Sequence, residues 1–150
     1  MENKSQKAAK LFRQGYNCAQ SVFCAFADEV GLDFETALKL SSSFGGGMGR
    51  LREVCGAVSA MFMIAGLKYG YTEFNNDEIK EKHYERIQYL AKNFEKQHGS
   101  LICRELLGLD IKHDVPEPEK RTEEYYNVRP CEKIVASAAE IINNYLQQNL

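Results

Sequence analysis

The sequence predicts an all-α fold, a single-domain bundle of about six or seven helices spanning residues 1–150. Three observations carry this expectation. Apolar residues recur with a helical period nearly throughout, and no segment sustains an alternation of two. Cap-type residues and glycines fall in matched start–stop pairs. At 150 residues with 44% hydrophobic content, the chain is also large enough to bury a core without disulfide staples.

The first helix is expected from about Asn3 to Gln14, with Ala8, Leu11 and Phe12 inward and Gly15 as its stop. Asn17 reads as the next cap, with Gln20 completing a capping box. Val22, Phe23, Phe26, Ala27 and Val30 then form a buried stripe ended by Gly31. Asp33 caps a short helix containing Ala37, Leu38 and Leu40. The glycine run Phe44 to Gly49 follows as a turn. It lacks the Gly-Lys-Ser/Thr ending of a phosphate loop and follows no strand. Arg52 to Lys68 is apolar on nearly every face, the mark of a helix enclosed by others. An amphipathic helix from about Asn76 to His98 closes on Gly99, and Ser100 opens a short one ending at Gly108. Residues 112–129 are charged, hold Pro116 and Pro118 and show no period, so a surface loop is expected there. Pro130 opens the last helix, with Ile134, Val135, Ala138, Ile142 and Leu146 inward.

Composition excludes several function classes. A net charge of −2 without a long basic run argues against nucleic-acid and anionic-membrane partners. The longest near-continuous apolar run, Val54 to Leu67, is shorter than the ~20 residues a membrane span needs. The polar start Met-Glu-Asn-Lys-Ser has no signal-peptide pattern, so a cytoplasmic location is expected. Thiols stay reduced there, and five cysteines therefore point to reactivity or metal rather than to structural bridges.

Cys18, Cys55, Cys103 and Cys131 fall at or near predicted helix starts, where free N–H groups and the positive dipole end favour a thiolate. Each also lies on the apolar stripe of its helix, which draws the four toward a common interior. Cys24 lies about 120° around the second helix from Cys18 and falls outside this set. No Cys-x-x-Cys or Cys-x-x-Cys-His motif is present, so no covalent haem is expected. His83 lies on the expected inward face of the fifth helix, with Ile79, Ile87, Leu90 and Phe94. It is a candidate to activate a thiol or to join a metal shell.

Cys18, Cys55-Gly56-Ala57-Val58-Ser59, Cys103 and Cys131 resemble the C_GCAxxG_C_C family, whose members carry four cysteines and a Cys-Gly-Ala-x-x-Gly motif. Tyr16-Asn17-Cys18-Ala19-Gln20, the glycine run and Arg129-Pro130-Cys131 are similar to the family as well. Ala60 stands where the motif ends in glycine. The resemblance implies redox activity at the four cysteines. Two mechanisms follow from it: the thiols cycle with disulfides, or four thiolates hold an iron–sulfur centre or zinc. The redox partner is unnamed, and a homo-oligomer is compatible with the sequence. The competing class is a non-catalytic helical interaction or oligomerisation module with structural cysteines.

Overall fold

The computed structural model describes residues 3–149 and is all-helical. The helical segments are α1 (Lys4–Arg13), α2 (Cys18–Ala25), α3 (Phe34–Ser42), the single turn α4 (Gly45–Met48), α5 (Gly56–Tyr69), α6 (Asp77–His98), α7 (Cys103–Leu106), α8 (Glu123–Val128) and α9 (Cys131–Gln148). Among the described residues, the one strand-like feature is an isolated antiparallel bridge between Val54 and Ile102. No helix among them is long and apolar enough to cross a membrane.

Helix α5 sits at the centre. Its Val58, Met61 and Ile64 are fully buried, and the apolar content on all sides explains why: α2, α6 and α9 each pack against a different face. Phe23 and Phe26 come from the α2 side, Leu90 and Phe94 from α6, and Val135, Ala138 and Ile142 from α9. Helix α1 closes the group by laying Ala8, Leu11 and Phe12 onto α9.

The Asn17 capping box is formed. The Asn17 side-chain oxygen accepts from Gln20 N–H at 2.9 Å, and the Gln20 side chain accepts from Asn17 N–H at 3.1 Å. The Asn17 amide also donates to the Ser42 carbonyl at 3.1 Å. A Cβ on Gly45 would fall 2.3 Å from the Asn17 side chain, so the glycine run lies directly on this cap. Asn17→Ala is expected to destabilise the protein by about 1–2 kcal/mol, the usual cost of an N-cap plus one hydrogen bond. A urea midpoint unchanged by the substitution would contradict that role.

Several boundaries differ from those the sequence predicts. Helix α2 stops at Ala25, and tight three-residue hydrogen bonds such as Phe26 N–H to Phe23 C=O carry the chain to Gly31. Helix α5 begins at Gly56, because Arg52 has φ +61° and cannot enter a right-handed helix. Residues 112–129 are not wholly a loop, since α8 forms within them. Thr122 caps it by accepting from Tyr125 N–H at 3.2 Å, with Glu123 and Glu124 in its first turn. Tyr125 and Tyr126 anchor it on Phe12, at 6.4 and 6.0 Å between ring centroids. The first half of α6 is not part of the core. Ile79 is exposed there, and burial begins only at Leu90 and Phe94.

Candidate functional site

Three of the four cysteines are the first residue of a helix: Cys18 in α2, Cys103 in α7 and Cys131 in α9. Cys55 is the N-cap of α5. Two local devices bring these helix starts together. The first is the pairing around Val54 and Ile102, in which Cys55 N–H donates to the Leu101 carbonyl at 2.8 Å and Cys103 N–H to the Glu53 carbonyl at 2.6 Å. The second is Gly56. A Cβ there would meet the Phe44 carbonyl oxygen at 2.7 Å and the Ala19 nitrogen at 3.1 Å. Only glycine therefore lets the start of α5 pass against the start of α2, and the residue following Cys55 is fixed by that approach. Ala60, at the position of the motif's last glycine, buries its methyl completely.

The chain from Gly46 to Arg52 has an unusual backbone. Gly46, Gly47, Met48, Gly49 and Arg50 all have φ between +59° and +71°, a short left-handed turn, and Arg52 follows at +61°. For the three non-glycine residues this conformation costs roughly 1–2 kcal/mol each. Hydrogen bonds from Arg52 N–H to Gly46 C=O and from Glu53 N–H to Gly47 C=O hold it, at 3.2 and 2.9 Å. The turn throws the Arg50 and Arg52 side chains toward the thiols. Arg52 is 4% exposed, with Nη1 3.5 Å from the Cys103 sulfur and Nη2 2.9 Å from Asp114.

A cavity of about 310 Å³ opens between these elements. Cys18, Cys103 and Cys131 line it, with Arg52, Arg129 and Tyr125 among the other walls. Cys55 is buried and does not line the cavity.

The four thiols are not equivalent. The Cys18 and Cys131 sulfurs are within hydrogen-bonding reach, and the proton between them settles unequally. The Cys18 thiol stabilises Cys131 as thiolate against the cost of burial, and Arg129, Arg121 and Arg52 add their charge, so Cys131 is lowered to about 7. Cys18 is raised well above the ordinary thiol value by the same hydrogen bond and by burial. Burial pushes Cys55 up to about 12, although the Val58 and Ala57 N–H groups oppose it. It raises Cys103 too, against the Arg52 guanidinium. Tyr125 is held as a neutral phenol by burial and by the Cys131 sulfur.

Cys24 stands apart. It is 2% exposed in the core beside Ser41, and burial raises it to about 11. His83 is not brought to the thiols either. Its Nδ1 lies 3.0 Å from Arg86, its ring packs edge-on to Tyr71, and burial and Arg86 hold it neutral. Among the described residues, no three Cys, His, Asp or Glu side chains gather as a metal shell. The donor set therefore does not fit zinc or an iron–sulfur centre, which need converging ligands. Apart from Arg129, which belongs to the Arg129-Pro130-Cys131 stretch, the arginines of the site were not among the residues the sequence singles out. The only signal for them is adjacency: Arg50 and Arg52 follow the glycine run, and Arg129 stands two places before Cys131.

No curated protein and no solved structure matches the chain. A family model described as "Putative redox-active protein (C_GCAxxG_C_C)" matches residues 16–145, a span that holds all four of these cysteines and the glycine run. The chain belongs to the C_GCAxxG_C_C family.

Proposed function

We propose that this protein is a dithiol–disulfide exchange protein in which Cys131 attacks and Cys18 resolves. The observation that carries the reading is the meeting of Cys18 and Cys131, the first residues of α2 and α9, at the wall of one cavity, where the Cys18 thiol and the arginines lower Cys131 to about 7. A thiol poised there is half ionised at neutral pH, where the attacking species is the thiolate. Cys131 attacks one sulfur of an external disulfide, forming a mixed disulfide and expelling a thiolate. Cys131 then no longer accepts from Cys18. The Cys18 proton passes to the leaving thiolate, and Cys18 attacks the Cys131 sulfur, breaking the mixed disulfide and expelling the second external thiolate as the intramolecular bridge closes. The external disulfide has gained two electrons and the dithiol has lost them, and an external dithiol reductant restores the starting state. Cys103 lines the same cavity, and Cys55 is buried at the start of α5. All five cysteines are free thiols, which suits a reducing compartment such as the cytoplasm.

The pH dependence tests the reading. With reduced protein, the iodoacetamide rate at Cys131 is expected to rise about tenfold per unit below its pKa and to level off above about 7. An ordinary thiol would still be climbing at pH 8. Mild oxidation should give a Cys18–Cys131 bridge in peptide mass maps. A main bridge through Cys24, or a Cys131 rate that climbs steadily past pH 8.5, would remove the basis for this function.

A further inference from the structure

The chain is anionic overall, yet the thiol cavity is not. Arg50, Arg52, Arg121 and Arg129 line it, and among the described residues Glu119 is the one carboxylate in its walls, while Asp114 pairs with Arg50 and Arg52 without lining it. Glu119 engages three of the four guanidinium groups: it pairs with Arg129 and lies 3.9 Å from Arg50 and 3.6 Å from Arg52. It belongs to an irregular strap stiffened by Pro116 and Pro118, which also line the cavity. Both ends of the strap are tied down. Asp114 N–H donates to the Arg50 carbonyl at 3.1 Å, and Arg121 donates to the Phe12 and Tyr16 carbonyls at 2.8 and 3.0 Å. Between those anchors, Glu119 is held over the thiols by ion pairs, with its side chain 38% exposed.

We propose that the cavity takes a small anionic disulfide, one carrying a carboxylate near its S–S bond, and that Glu119 occupies the place of that carboxylate until it binds. This deepens the dithiol reading and rests on it. Guanidinium groups bind carboxylates through paired, charge-assisted hydrogen bonds, so an incoming carboxylate can replace Glu119 on the same donors. Arg52 contacts the Cys103 sulfur as well as Glu119, and Arg129 and Arg52 both face the Cys131 sulfur. An anion exchanged onto these arginines therefore brings its disulfide to the attacking thiolate. The reaction is the one described above: the external S–S bond is reduced by two electrons, and the Cys18–Cys131 bond forms.

The test compares three disulfides of similar size on the fully reduced protein: dianionic dithiodipropionate, neutral hydroxyethyl disulfide and dicationic cystamine. Each rate of Cys18–Cys131 bridge formation is divided by that disulfide's rate with a small free thiol, which removes intrinsic reactivity. The expected order is anionic, neutral, cationic, with the extremes separated by at least ~tenfold at low ionic strength. That spread should shrink as salt is raised. Glu119→Gln should widen the anion-to-cation ratio further. Equal normalised rates, or a preference for cystamine, would overturn the anionic substrate class while leaving the dithiol reading intact. A correct order with no response to Glu119→Gln would overturn the displacement of Glu119. If none of the three forms the bridge, the dithiol reading itself falls.

Discussion

Cys131→Ser is expected to slow disulfide exchange at pH 7 by more than about tenfold and to abolish the intramolecular bridge. The size follows from two opposing effects. A thiol at about 7 is half ionised at pH 7, whereas one at the ordinary value of 9.0 is about 1% ionised, roughly a fifty-fold difference in thiolate. Weaker intrinsic nucleophilicity of the more acidic thiol returns some 6- to 10-fold of that. Against a thiol of ordinary acidity the advantage would be only about 5- to 8-fold. The remaining cysteines are not ordinary: Cys18 loses the lift it takes from Cys131 in this variant, but burial still raises it, as it raises Cys55 and Cys103. Their ionised fraction is smaller still, which takes the loss beyond tenfold. Cys18→Ser separates attack from resolution, because it should accumulate the mixed disulfide at Cys131 as a stable adduct in intact-mass spectra. Rapid bridge formation in Cys131→Ser would show that another thiol attacks.

Gly47→Ala is expected to cost about 2–5 kcal/mol, because strain and overpacking add at one position. A Cβ there would lie 2.6 Å from the Cys103 Cβ, 2.8 Å from the Arg52 Cα and 2.8 Å from the Glu53 nitrogen, at a φ of +70°. Two of those three neighbours are backbone, so they cannot rotate away. Left-handed strain adds roughly 1–2 kcal/mol and overpacking another 1–3. Gly66→Ala is the contrast. It lies within α5, with open space where the methyl would go and no positive φ, and should be neutral or stabilising by up to ~1 kcal/mol. Urea unfolding of both variants measures the difference. Similar midpoints would mean that the 46–52 turn adapts, and its strain would then have no bearing on the site.

The helical periodicity and caps made the architecture legible, because Asn17, Asp33 and Gly99 act locally and do what such residues do in any helix. The gathering of helix starts was legible for the same reason: a cysteine beside a cap must sit where that helix begins. Acidity was not. The dipole argument favours Cys18 and Cys131 alike, but two thiols sharing one proton cannot both be lowered, and the nearby guanidinium charge helps leave Cys131 as the thiolate and the proton on Cys18. Cys103 shows the limit of the dipole from the other side, since α7 is a single turn and burial wins. The arginines come from a left-handed turn and from a proline-stiffened strap, neither of which has a period to detect. His83 misled because the 3–4 spacing around it continues past the point where α6 leaves the core.

Helix α9 docks onto α1 through contacts that join opposite ends of the chain, as in the Arg13–Glu132 pair at 2.7 Å across 119 positions. The acidity of Cys131 is thus a product of assembly. In the unfolded polypeptide the same residue is a thiol of ordinary acidity, without Cys18 or the arginines. During folding it becomes a good nucleophile only when the last helix closes on the first two, so a half-folded chain offers oxidants no activated sulfur. In a kinetic refolding experiment, the arrival of fast-alkylating Cys131 at neutral pH would clock that docking step directly.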